Sequence, residues 1–543
     1  MNNQDVIELV SNKVRDLKNC INVLCLEREN TDEFKPQYGQ QTLCENYNFT
    51  SSVKTLSTAQ TVYISSLDSF EEYYTQKKKD IFNAIPKTLE SVFKYLLKCP
   101  ILHVSGRICD NSEFTINCNL FLSSYKKDSV HLSTMFREMT FDLTGLEQEE
   151  ISVICIPEWS EKDRQVLVFP DIGVTIILGS DYFGELKNAF LRMAISKGKA
   201  RNMLGIHAAT KIMTVKNASN ELSRIGVVIF GIASTGKTTH ACHDHGLNEA
   251  EESVQILQDD LVFWKDDGSI IGSERGFYIK TDSLSNTSQP LLYNATKMPG
   301  ALLENVMTDF QGNIYFEDKT ISANAHAIIS RDNLKGYISD TINMPNVNEL
   351  DRLVLFFMTK NFTVVPIISR LNPEQASVAF MLSEPFDAMG SEVGKLDGKG
   401  GISSISVGSG NAVDDVNKFY ERLKENPDIE CYMLNNGGIG ELVDIGLDGS
   451  RRVRRKVTRI SIPEMSRVIK AVLKNEIKWQ DDKNWMVEIP EFINEVDMDK
   501  YDLYSHYDQE KIDLLISAVR NERRAFANNY KGLNEKILDV CEF

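Results

Sequence analysis

The residues with the clearest chemical meaning lie between Gly226 and Thr239. A short apolar run, Val227 to Phe230, leads into Gly231-Ile-Ala-Ser-Thr-Gly236-Lys237-Thr238, the pattern GxxxxGKT. Small residues at these positions let successive backbone N–H groups close around phosphate oxygens, and a helix beginning there adds the positive end of its dipole. In such an arrangement Gly231, Ser234, Thr235, Gly236 and Thr239 line the phosphate cage, Lys237 reaches the outer phosphates, and the Thr238 hydroxyl ligates Mg²⁺. An ordinary glycine turn between strand and helix would share part of this pattern. A second feature weighs against that reading: Val254 to Leu257 reads as a buried strand ending in Asp259-Asp260, about twenty residues beyond the loop. Carboxylates there would hold the cation that neutralises a triphosphate.

The surrounding elements are read from periodicity. Apolar residues recur at helical spacing from Asp5 to Arg28 and again from Ile81 to Leu97, with Pro86 inside the second pattern and Pro100 just beyond it. Residues 29 to 60 are polar and read as irregular connections. Phe114 to Cys118, Ile151 to Ile156, Val166 to Phe169 and Gly173 to Leu178 read as strands of a mixed sheet, and Tyr182 to Lys197 returns to helix. The expected organisation is α/β: an N-terminal helical extension over 1–100, an N-terminal α/β domain over 101–222, and a C-terminal phosphate-loop domain with a mixed sheet over 223–543.

Composition narrows the class. The 543 residues are 42% hydrophobic and 25% charged, with a formal charge of -17. A charge of that sign disfavours nucleic acid and anionic membranes as partners and favours neither a fold nor an oligomeric state. Ten cysteines occur with no CxxC pair, which reads as reduced thiols rather than a disulfide framework. The N-terminal residues lack the basic-then-apolar pattern of a leader, so the expected location is the cytoplasm.

Three further stretches invite functional readings. Met389 to Gly410 holds seven glycines and few large apolar residues, which predicts a lid that closes over bound substrates, against the simpler reading of a surface loop. Arg451 to Arg459 carries six basic residues in nine and reads as a site for a small anion or as a solvated basic strand. His240 to His245, HACHDH, has the composition of a transition-metal site but lacks confirming partners elsewhere, and is read as a cluster without metal.

Several of these segments fall into one register. YFGELKNAF (Tyr182 to Phe190), GIH (Gly205 to His207), GIASTGKTT, DDLVFWKDDG (Asp259 to Gly268), ERGFYIKT (Glu274 to Thr281), YNATKMPGALLENV (Tyr293 to Val306), VVPIISRLNPEQA (Val364 to Ala376) and RISI (Arg459 to Ile462) resemble ATP-dependent phosphoenolpyruvate carboxykinase, in order and spacing, over about residues 180 to 465. That family converts oxaloacetate and ATP into phosphoenolpyruvate, CO₂ and ADP with two divalent metals, Mg²⁺ or Mn²⁺. The resemblance implies that His207 and Asp260 hold the catalytic metal, that Lys237 and Thr238 bind the phosphates and the nucleotide metal, and that Asp259 takes a supporting position. It further implies that Lys280 contacts the phosphates, Arg459 lies against the adenine, Tyr182 lines the acid-substrate pocket and Lys187 is catalytic. The glycine-rich stretch falls where the family has its lid.

Departures concentrate on the acid-substrate side. Where the family has a second lysine as metal ligand, this chain has Asn188, whose amide oxygen can still meet a hard cation. Inside the phosphate loop, Ala233-Ser234 stands for the family's Ser-Gly, and Gln289 precedes Pro290 where the family has an acid. His326 replaces an arginine that grips phosphate and carboxylate, with Arg331 near enough in sequence to substitute. Arg107 is the candidate for the other gripping arginine. These changes leave three readings: the family reaction, a divergent kinase acting on another acceptor, and a non-catalytic ATP-binding regulator.

Overall fold

The computed structural model describes residues 2–17, 19–20, 22–66, 74–145, 148–160, 164–217, 219–231, 235–247, 249–282, 284–383, 412–445, 451–528 and 530–543. The glycine-rich stretch 389–410 and Ser234 lie outside them. The described chain groups into two compact units, the first falling within residues 1–203 and 271–336, the second within 204–270, 337–383 and 412–543.

The first unit is built on a mixed sheet in the strand order Val23–Leu26, Ile101–Ile108, Ile116–Ser123, Glu149–Ile156, Val174–Leu178, Gln165–Phe169, Thr61–Tyr63. Helices Asn3–Leu17 and Gln76–Leu96 bury their apolar stripes against it: Val6, Val10, Ile85, Leu89 and Val92 share a core with Phe121, Ile154, Leu167 and Ile176. At about 1.5–3 kcal/mol for each fully buried aliphatic side chain, this contact makes residues 1–100 part of the sheet's cover rather than a separate extension. Thr75 starts the second helix by accepting from the Lys78 amide, and Pro86 is accommodated inside it. The helix expected over Asp5 to Arg28 stops at Leu17. Asn22 then donates to the Leu96 and Cys99 carbonyls, and Val23–Leu26 runs parallel to Ile101–Val104 as an edge strand. The sheet hydrogen bonds outweigh the helical periodicity, which beyond Leu17 rested on Ile21 and Leu24, and Leu24 is exposed.

Residues 271–336 belong to this unit rather than to a C-terminal domain beginning at 223, because their strands pair with the N-terminal segment. Leu302–Glu304 runs parallel to Tyr47–Phe49, and His326–Ile329 bridges Leu302–Glu304 to Phe277–Lys280.

In the second unit the strand Leu204–Lys216 pairs antiparallel with Leu222–Gly231, which continues through parallel neighbours Arg352–Thr359 and Glu430–Asn435. The boundary expected at residue 222 therefore cuts through a hairpin, and the observed division comes earlier, at 203/204. The other edge of Leu204–Lys216 changes partner along its length, from Ser253–Gln258 to Leu261–Trp264. Asp259-Asp260 sits at the change. The basic run forms the strand Arg451–Arg455 in a hairpin with Leu442–Ile445. Arg454 pairs with Asp444, and Arg455 donates to the Gly440 carbonyl while lying over the Tyr507 ring, so part of this charge is used internally. Among the described residues, no helix is long and apolar enough to cross a membrane.

Candidate active site

Strand order fixes the polar centre of the second unit. The strand Leu222–Gly231 ends at the phosphate loop, and Gly236 opens a helix over Lys237–Ala241 with φ of 99°. That left-handed conformation suits glycine, and a Cβ there would also meet the Asn436 amide at 2.5 Å. Asn436, just past the end of the strand Glu430–Asn435, donates to the Thr235 carbonyl. A Cβ on Gly231 would lie 2.5 Å from the Thr235 hydroxyl. The helix has five residues, so its dipole contributes less to anion binding than a full-length helix would. The burden falls on backbone amides and on Lys237.

Lys237 is 7% exposed, with its Nζ 3.2 Å from Asp260 Oδ1 and 3.7 Å from Asp259 Oδ1. Thr238 Oγ1 donates to Asp259 Oδ2 at 2.7 Å. His207 pairs in register with Leu261, which brings its Nε2 within 2.5 Å of Asp260 Oδ1. Asp260 adopts φ of 109°, a conformation that costs a non-glycine residue on the order of 1–3 kcal/mol and recurs at functional sites. Lys237, Thr238, Asp259, Asp260 and His207 are therefore brought together as the sequence predicted.

This donor set fits a divalent cation. Asp259 Oδ1 is buried and lacks a hydrogen-bond donor, and the two adjacent carboxylates draw in one ammonium, one imidazole and one hydroxyl. Among the described residues, no three of His, Cys, Asp and Glu close around a single point as a complete cage. Such a site suits a cation that keeps water and phosphate oxygens among its ligands. Thr239 is half-buried on the same helix. Arg459 is exposed, with its guanidinium 5.6 Å above the Phe362 ring.

Behind the loop, HACHDH folds inward around a lysine that sequence reasoning did not single out. The fully buried Lys211 Nζ donates to the His240 carbonyl at 2.6 Å, the His243 carbonyl at 3.1 Å and His245 Nε2 at 2.6 Å. His245 Nδ1 in turn faces Ser466 Oγ at 3.0 Å. Burial lowers the Lys211 amine to about 7 and keeps the His240 and His245 rings neutral. The cluster anchors the carboxyl end of the phosphate-loop helix.

In the first unit, Tyr182 precedes the helix Phe183–Ala200 and its hydroxyl accepts from Asn324 Nδ2 at 2.9 Å. His326 stacks on Tyr278 at 4.3 Å between centroids and pairs in register with Lys280. Its Nδ1 donates to the Asn324 carbonyl at 3.0 Å. Lys187 is 5% exposed and 3.4 Å from Glu274 Oε2, and Asn188 beside it on the helix is half-buried. Arg331 opens a short 3₁₀ turn that follows the His326 strand. Arg107 donates from Nη1 to Asp110 at 2.5 Å and from Nε to the Asp142 carbonyl at 2.6 Å, which engages two of the five N–H groups of its guanidinium.

Three residues of this constellation escaped the sequence: Tyr278, Glu304 and Asn324. Each lies in or beside a quoted segment, but no spacing rule singles it out. Glu304 is buried and accepts from the Phe183 amide at 2.9 Å and the Tyr278 hydroxyl at 2.8 Å. Burial, opposed by those two hydrogen bonds, pushes its carboxyl up to about 7 from an ordinary 4.5. The folded protein holds this proton in the interval where the unfolded chain has released it. The associated stability is therefore complete below the ordinary carboxyl range and is lost as pH rises through about 7. Glu304→Gln is expected to flatten that loss, so that urea unfolding shows the variant gaining about 3 kcal/mol on the wild type between acid and mildly alkaline buffer.

A phosphate loop at the end of a parallel strand, facing an acid pair and a histidine, defines the class as an enzyme that handles nucleotide phosphates with a divalent cation. The comparisons give the family. The sequence profile described as Phosphoenolpyruvate carboxykinase matches residues 42–499. The chain is 30% identical over 420 residues to the "Phosphoenolpyruvate carboxykinase (ATP)" of Aeropyrum pernix, covering 76% of this chain and 78% of that protein. It is 25% identical to the protein of that name from Christiangramia forsetii, over 78% of this chain and 72% of the relative, and 26% identical to that of Rhizobium leguminosarum, over 60% and 55%. The chain belongs to the ATP-dependent phosphoenolpyruvate carboxykinase family. The match begins at residue 42, well before the register legible from motifs.

Proposed function

We propose that the protein catalyses the ATP-dependent reaction of its family, converting oxaloacetate and ATP into phosphoenolpyruvate, CO₂ and ADP. The observation that carries the proposal is the contact of Lys237 and Thr238 with Asp260 and Asp259, at 3.2 and 2.7 Å. It sets the phosphate-binding ammonium and hydroxyl against the carboxylates that share the cations of the nucleotide. His207 and Asp260 would hold one divalent ion and Thr238, supported by Asp259, another, with Mg²⁺ and Mn²⁺ the ions their hard donors suit. Those ions, when bound, supply Lewis-acid polarisation of the oxo acid and neutralisation of the triphosphate.

The chain's own residues do the rest. The loop amides and Lys237 orient the γ-phosphoryl group and stabilise charge as it transfers, with Arg459, beside Phe362, as a platform for the base. In the first unit, Tyr182, held by Asn324, and His326, held on Tyr278, bind the acid substrate, with Arg331 as the nearby cation. We assign nucleotide binding to the phosphate-loop domain.

Incubation with ATP, Mg²⁺, Mn²⁺ and oxaloacetate tests the proposal: phosphoenolpyruvate and ADP are expected to form in equal amounts. ADP without phosphoenolpyruvate would reject it in favour of another acceptor. Asn188→Lys restores the basic ligand of the family and is expected to raise kcat/KM for oxaloacetate about tenfold, read in the same assay. An unchanged rate with metal bound would remove Asn188 from the metal site.

A further inference from the structure

Apart from the nucleotide chemistry, the first unit carries a polar row at the exposed edge of its sheet. Cys25 lies on the edge strand Val23–Leu26, paired in register with His103. Its side chain is exposed, and its Sγ is 3.4 Å from His103 Nδ1. The other ring nitrogen, His103 Nε2, is 2.8 Å from Asn119 Oδ1. The Asn119 Nδ2 donates to Glu150 Oε1, which fixes the amide with its oxygen toward the imidazole. Ser105 Oγ donates to that same oxygen at 3.0 Å. Asn119 Oδ1 can only accept, so His103 carries its proton on Nε2 and presents the Nδ1 lone pair to the thiol. Stacking on Phe121, with centroids 4.5 Å apart and planes 7° apart, holds the ring in this orientation. Asn119 is 5% exposed, so the orienting hydrogen bond is shielded while the sulfur faces water.

We propose that Cys25, His103 and Asn119 form a reactive-thiol site at which Cys25 undergoes exchange with low-molecular-weight disulfides. A nucleophile within reach of a base, and a base oriented by a third group, is the arrangement that activates a side chain. The Cys25 proton passes to His103 Nδ1, and the Sγ electron pair attacks one sulfur of the disulfide RSSR. The protein–sulfur bond forms as the S–S bond of the reagent breaks, and the departing RS⁻ takes the proton from the imidazolium. The products are a mixed disulfide on Cys25 and one RSH, with no oxidant beyond the disulfide itself. The site lies on a strand that contributes nothing to the nucleotide centre, so it constitutes a modification site rather than part of the carboxykinase machinery.

The test uses the full, reduced protein and 5,5′-dithiobis(2-nitrobenzoic acid) as the disulfide, with modified peptides quantified by mass spectrometry. Cys20, half-buried and donating to the Asp16 carbonyl, is the internal reference. In mildly acidic buffer Cys25 is expected to react about tenfold or more faster than Cys20, with the gap narrowing as alkaline pH ionises ordinary thiols. His103→Gln is expected to abolish the gap while leaving the Cys20 rate unchanged. Equal rates for the two cysteines in mild acid, or a Cys25 rate indifferent to His103→Gln, would overturn the proposal. Should that variant fail to fold, the wild-type profile decides: a Cys25 rate that holds up in mild acid supports the site, and one that falls in parallel with Cys20 refutes it.

Discussion

Lys237→Met is expected to slow phosphoenolpyruvate formation by about 10³-fold, the scale on which removing one preorganised charge from a phosphoryl-transfer site is felt. The side chain is nearly buried and lies between two carboxylates, at 3.2 and 3.7 Å. Methionine fills much the same volume but leaves Asp259 and Asp260 facing each other without a counter-charge. In chelator the variant is therefore expected to lose about 3 kcal/mol of stability, the cost of stripping one partner from a buried ionic group. Adding Mg²⁺ recovers most of that loss, because a cation between the carboxylates replaces the ammonium. Single-turnover kinetics and urea unfolding with and without Mg²⁺ read both effects. A tenfold or smaller loss of rate would place Lys237 outside the transition state, and a stability deficit that ignores Mg²⁺ would mean that the acids do not face a cation site.

The second large effect separates stability from activity at one residue. Asp260 holds φ of 109° at the point where the strand Leu204–Lys216 changes partners, and its carboxylate meets both His207 and Lys237. Asp260→Gly relieves the backbone but deletes the ligand. It is expected to change folding stability by less than about 1 kcal/mol, strain relief set against the lost ion pair with Lys237 and the entropy of the new glycine, while lowering turnover about 10³-fold. Asp260→Asn keeps the side-chain shape without the charge and is expected to lose comparable activity with little change in stability. Mn²⁺ titration by electron paramagnetic resonance should show weakened binding in both variants. A glycine variant that is less stable than wild type by more than this would mean that the carboxylate's contacts outweigh the backbone cost.

The nucleotide half of the site was legible because it is local. The loop, its strand and its acid pair are contiguous patterns whose spacing alone brings Lys237 toward Asp260, and the bulge at Thr210/Lys211 needed no foresight to accommodate them. Non-local pairing hid the rest. Leu24 extends a helical pattern, yet its segment finds hydrogen-bond partners in a strand about 78 residues later. Residues 271–336 follow the phosphate loop in sequence but pair with Tyr47–Phe49, so chain order misassigned them. Glu304, Tyr278 and Asn324 acquire their roles only through contacts across 26 to 142 residues, beyond the reach of any window. Arg107 adds a local contact that residue type alone does not reveal: Asp110, three positions on, accepts from its Nη1.

The inward-turned histidines have a consequence at the bench. His240, His243 and His245 are spaced like an improvised purification tag, yet in the native protein the His240 and His245 rings stack, the His243 ring tilts against His245, and a single lysine engages two of their carbonyls and the His245 ring. Immobilised nickel should therefore pass over the folded chain and retain it in strong denaturant, which turns chromatographic retention into a readout of whether the floor beneath the phosphate loop has come apart. Retention of the folded, untagged protein through this segment would show that the three rings face outward instead.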